Sequence, residues 1–121
     1  VPVKNAAASW EAVAMTKPSI KSLADRIKKI EAKPNISESE IETTFKLRLQ
    51  MAQEADKQMV PAFAQAELAK LYDAASAVNP GSNLNKSLLR DILKARIANA
   101  RLLKVDDSAL QEQLQKLQTS K

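Results

Sequence analysis

Residues 37–78 read SESEIETTFKLRLQMAQEADKQMVPAFAQAELAKLYDAASAV, and this stretch decides the fold. It is a run rich in Ala, Leu and Met, with an acidic start and a single interruption at Pro61. As one straight helix it would extend about 60 Å at ~1.5 Å per residue, roughly twice the width of a compact domain of this length. Proline removes a backbone donor and clashes with the preceding turn. The break is therefore expected at Met59-Val60, with Pro61 opening the next helix. Two antiparallel core helices follow, a kink at Pro61 being the alternative.

Helix two begins at a capping box, in which Ser37 accepts from the Glu40 amide and the Glu40 carboxylate reaches back to Ser37. Glu38, Glu40 and Glu42 suit the positive end of the helix dipole. That role accounts for the acidic cluster more simply than a cation site, which would need a second set of ligands. Ile41, Phe45, Ala52, Ala55 and Met59 make the expected core stripe, flanked by Leu47 and Met51 and widened by Leu49. Helix three runs from Pro61 to Val78 and turns Ala64, Leu68, Leu71, Ala75 and Val78 one way, with Phe63 and Tyr72 on its shoulders. Its alanines and sparse charges (Glu67, Lys70, Asp73) predict the most buried helix. Asn79-Pro80-Gly81-Ser82 ends it with a strong turn signal.

Helix one spans about Lys17 to Ala32, with Thr16 as its cap and Pro18 in the first turn. Ile20, Leu23, Ala24, Ile27 and Ile30 form its buried stripe. Before it, residues 1–16 make an N-terminal arm in which Trp10, Val13 and Ala14 share a face. The arm closes one end of the bundle, or Trp10 meets a partner. Helix four spans about Leu84 to Lys104, capped by Asn83 or Asn85, with Leu84, Leu88, Leu89, Ile92, Ala95, Leu102 and Leu103 on one broad face. Arg96 and Asn99 project into that apolar arc, where a charge is costly unless paired. Arg96 is expected to meet Glu54 or Asp73, or to carry its head past the bundle edge. Residues 105–121 make a helical tail, capped by Asp106, with a Val105–Leu110 staple and a narrow stripe of Leu110, Leu114 and Leu117. The tail packs weakly or waits for a partner.

The expected architecture is all-α: an up-down-up-down four-helix bundle over residues 17–104, with the arm and tail as extensions. At 121 residues the chain is one domain. It has no Cys and no His, which removes disulfides, thiolate sites, and the commonest general base and metal ligand. One glycine, Gly81, leaves no phosphate-cradling loop. No catalytic residue, cofactor site or metal centre is read from the sequence, and no small-molecule substrate. No apolar run approaches the ~20 residues of a membrane span. The opening Val1-Pro2-Val3, in place of Met, reads as a processed or trimmed start.

Charge is the functional signal. The net charge is +5, and it is unevenly spread. Helix one with Lys33 carries six basic and two acidic residues, and helix four six and one. The middle run from Asn35 to Pro80 carries four basic and seven acidic. In a four-helix bundle the first and last helices are neighbours, so their basic faces are expected to merge. On helix four, Lys86, Arg90, Lys94, Arg101 and Lys104 fall within an arc of about 80° at 100° per residue. Leu93 and Ile97 lie beside them, and an apolar strip rimmed by charge suits an interface. The candidate partner-binding residues are these, with Lys21 and Lys28 of helix one and Trp10 of the arm. A solvated surface is the plainer use of the same charges. The partner expected is an acidic protein surface of a larger, membrane-embedded complex. Nucleic acid fits less well, for want of an exposed aromatic series, and a lipid surface least, because the apolar face is needed for the core.

The plan as a whole resembles the PsbQ-type extrinsic proteins of photosystem II, particularly the small lumenal forms of algae. What matches is the Pro-bearing arm (Val1-Pro2-Val3) and the basic four-helix bundle over residues 17–104; it is a resemblance of plan. It implies an accessory subunit of the thylakoid lumen, peripheral to the membrane, that docks on the photosystem, shields its oxygen-evolving side and binds no manganese itself. A helical-bundle chaperone or secretion-apparatus subunit, and a peripheral-stalk subunit of another energy-transducing complex, are the competing classes.

Overall fold

The structure, a computed structural model, describes residues 12–77 and 83–119. After a helical stretch at 12–15 come α1 (Pro18–Glu31), α2 (Glu38–Lys57), α3 (Pro61–Ala77), α4 (Asn83–Leu103) and α5 (Ser108–Thr119). The described residues contain no strand. Trp10, Val78 and the Asn79-Pro80-Gly81-Ser82 turn lie outside them.

Pro61 does open a new helix, and the chain folds back at Met59-Val60 so that α2 and α3 pack together. The Val60 amide donates to the Ala55 carbonyl at 2.8 Å and the Met59 amide to that of Asp56 at 3.2 Å, closing a Schellman motif. This motif needs one left-handed residue, and Met59 supplies it at φ 64. Met59 is consequently 77% exposed and is not part of the core stripe its spacing suggests. α4 ends the same way. Val105 donates to Ala100 at 3.0 Å, Lys104 donates to Arg101 at 3.2 Å, and Lys104 sits at φ 58. A side chain with a Cβ pays roughly 1–2 kcal/mol for that conformation.

The other helix ends follow local chemistry. Ser37 and Glu40 form the reciprocal capping box. Thr16 does not cap α1: its hydroxyl donates back to the Val13 carbonyl, and Lys17 holds the cap position with no side-chain bond. Asp106 accepts from the Ser108 amide at 3.1 Å and hydroxyl at 2.9 Å. The Asp107 carbonyl takes the Gln111 amide at 3.0 Å, so α5 starts one residue later than an Asp106 cap requires. Val105, expected to staple that end, is 47% exposed.

Packing follows chain order. α1 lies on α2, α2 on α3, α3 on α4 and α4 on α5, with a slighter approach of α2 to α4. α1 and α4 are not a packed pair, so the two basic helices are not the neighbours that a closed four-helix ring makes of them. Ile20, Ala24 and Ile27 of α1 are buried on the predicted stripe. In α2 the buried positions are Thr44, Leu47, Leu49, Met51, Ala52 and Ala55, while Ile41 and Phe45 are half-buried. α4 is more deeply covered than α3, because α2, α3 and α5 all pack on it. Ala66, Ala74 and Ala77 of α3 face solvent. Arg48 ties three helices, reaching Glu31 of α1 at 2.8 Å and Glu67 of α3 at 3.8 Å.

A candidate docking face on the fourth helix

Two polar residues of α4 sit inside its apolar arc, and each has a specific solution. Asn99, 2% exposed, donates to Asp56 Oδ1 and to the Pro61 carbonyl, both at 2.8 Å. Burial pushes the Asp56 carboxyl up from its ordinary value, against the opposing pull of the Asn99 bond. Arg96 stacks its guanidinium over the Tyr72 ring, 5.5 Å from the centroid. Neither Glu54 nor Asp73 is its partner. Glu54 instead accepts from Gln58 and Ser19, each at 3.1 Å, which holds its carboxyl below the usual range.

Between α2 and α4 lies an open groove of about 1120 Å³, with Asp56, the acceptor for Asn99, in its lining. Leu49, Leu88 and Ala95, each 9% exposed or less, make its apolar floor, with Ala98 and Leu102 along one edge. Lys46 and Lys57 stand on the α2 side, Lys94 and Arg101 on the α4 side. Asp56 and Asp91 also reach it, so four cations and two carboxylates line the groove. Lys46 pairs with Glu42 at 2.8 Å and Arg101 with Asp107 at 3.2 Å. Lys57 and Lys94 make no ion pair among the described residues.

The residues singled out by charge and periodicity are thus divided. Lys94 and Arg101 line the groove, and Lys104 is exposed at the left-handed end of α4. Lys86 and Arg90 are half-buried, and the Arg90 Nε is buried with no hydrogen-bond partner among the described residues. Lys21 and Lys28 are exposed on α1, away from any packing with α4. Leu93 and Ile97 are not an open apolar strip: they are 0% and 8% exposed. Both lie outside the main core cluster. α5 packs along that flank of α4, and Ile97 and Leu114 line the furrow between the two helices. The half-buried Leu110, Leu114 and Leu117 share one face of α5, so the tail itself occupies the strip.

Lys46 and Lys57 went unread as site residues. Their spacing with Gln50 and Gln53 marks a polar rail on α2, but nothing local says that α4 lies across from it. The acidic start of α2 is engaged locally. Glu40 is held low by Lys33 and by Ser37, and Glu42 meets Lys46. Among the described residues there is no group of three or more acidic, His or Cys side chains placed to hold a metal ion. No helix among them is long and apolar enough to cross a membrane. No family model, curated protein or solved structure matches the chain.

Proposed function

We propose that this protein is a non-enzymatic accessory subunit that docks by the basic face of α4 onto an acidic surface of a larger membrane complex and stabilises it. One observation carries the reading: Lys46, Lys57, Lys94 and Arg101 rim a groove whose floor is apolar. A charged rim around an apolar centre is the anatomy of a protein interface. The rim gives steering and salt sensitivity, and Leu102, 49% exposed, with the exposed Ala98 gives apolar area whose removal from water is favourable. Connections of a few residues between successive helices favour antiparallel neighbours, so the reading takes the chain as an up-down succession.

The complex implied by the resemblance is photosystem II, approached from its oxygen-evolving, lumenal side. The test is recovery of the full chain with thylakoid or other membrane complexes, first at low and then at high salt. Salt-reversible recovery of a photosystem core supports the photosystem reading. Recovery of a different membrane complex keeps the docking reading and removes the photosystem. Failure to recover any complex at either salt overturns both.

A further inference from the structure

We infer that the occupant of the α2–α4 groove is an amphipathic helix of another protein, with a narrow leucine-type stripe and acidic margins. The inference rests on the docking reading above and names the chemistry of its partner. The walls are two helices lying side by side, and the lining residues of each recur at helical spacing. On α4 these are Ser87, Asp91, Lys94, Ala98 and Arg101, and on α2 Lys46 through Lys57. The groove therefore runs about three to four turns, or roughly 17–22 Å at 1.5 Å per residue. That length suits a helix laid in a groove. Ala95 and Ala98 keep the α4 wall low, so a third helix can approach closely.

The molecule itself shows what α4 accepts. Lys94, Ala98 and Arg101 form a ridge lining two furrows. On one flank of the ridge lies α5, which turns its Leu110, Leu114 and Leu117 face inward. On the other flank the groove is empty of any described helix. Charge then selects among occupants. A second copy's α5 would bring Glu112 and Lys116, which pair with each other at 3.5 Å, and so no net charge. Lys57 on the α2 side and Lys94 on the α4 side stand without ion-pair partners among the described residues, with Asp56 and Asp91 also in the lining. A helix with Asp or Glu on both sides of its stripe, placed against these two lysines, would meet them.

The experiment selects binders to the immobilised full chain from a displayed library of helices about four turns long. Leucines are fixed at i, i+3 and i+7 and the outward positions are randomised. Expected are peptides enriched in Asp and Glu beside the stripe, whose binding shifts the amide resonances of Gln50, Gln53 and Ala98 and leaves Lys21 and Lys29 unmoved. Ala98→Trp and Gln53→Trp fill the groove from exposed positions, and each should weaken binding about tenfold or more. Peptides without acidic enrichment, shifts on α1, or indifference to both tryptophans would overturn the inference. So would concentration-dependent dimers of the chain that Ala98→Trp dissociates, since a second copy would then own the groove. Poly-glutamate separates the two levels. If it binds in a Lys94-dependent way and striped peptides bind no better, the helix inference fails and docking stands. If neither binds, docking fails as well.

Discussion

Asn99 spends both hydrogens of its buried amide at one junction: one on Asp56 Oδ1 and one on the Pro61 carbonyl, each at 2.8 Å. A single side chain of α4 is thereby tied to the last turn of α2 and to the first residue of α3. The groove begins beside this junction, with Asp56 in its wall. Asn99→Ala would leave a carboxylate and a carbonyl without their donor in a half-buried place. A loss of about 2–3 kcal/mol is expected, read as a drop in urea midpoint with little change in slope.

Asp56 gives a pH signature of its own. Its raised pKa means that the folded state holds the proton more tightly than the unfolded chain. That contribution to stability is full below the ordinary carboxylate value and is lost as pH rises through the raised one. Glu40, Glu54 and Asp106 are lowered. Their contributions are present above the ordinary value and are lost as pH falls through the lowered ones. Asp56→Asn keeps an acceptor for Asn99 and removes the carboxyl whose charge burial disfavours. Urea melts should show the variant more stable than the parent at about pH 7, with the difference vanishing at about pH 3, below the ordinary carboxylate value. An unchanged difference at both pH values would assign the effect to something other than burial of the charge.

The left-handed caps predict gains rather than losses. Glycine adopts the φ of Met59 and Lys104 without a Cβ clash. Met59→Gly and Lys104→Gly should each stabilise by about 1 kcal/mol, a few degrees in Tm. Met59 is the cleaner test, because 77% of it faces water and little packing is lost.

The α5 contact predicts exposure of a hidden surface. Leu114→Glu puts a charge against Ile97 and should lift α5 from α4 while α1 to α3 remain folded. The expected result is loss of hydrogen-exchange protection in α5 and in the 93–100 segment of α4, with new binding of a hydrophobic dye. Retained protection in that segment would mean that another element covers Leu93 and Ile97.

Much of this was legible in one dimension. Pro61, the Ser37–Glu40 capping box and the α1 stripe each rest on chemistry within a few residues, and the structure has them where the spacing puts them. Positions that depend on a distant neighbour were not legible. Met59 fits a core stripe by its number, but the Schellman closure turns it outward. Arg96 was expected to find an acid and found the face of Tyr72, a choice that depends on how α3 and α4 cross. Leu93 and Ile97 lie off the core face of α4, yet α5 covers them. A helix packed by three others has no single stripe, so periodicity underestimates what is buried. The same blindness left Lys46 and Lys57 out of the candidate site.

The most direct measurement compares two double reversals in salt-dependent binding of the full chain to solubilised membrane complexes. Lys94→Glu with Arg101→Glu changes the groove rim, and Lys21→Glu with Lys28→Glu changes the same number of charges on α1. The account predicts that the α4 pair abolishes binding, about a hundredfold or more, while the α1 pair lowers it only slightly. Equal losses from both pairs would show that net charge alone governs association, and would contradict a docking face on the fourth helix.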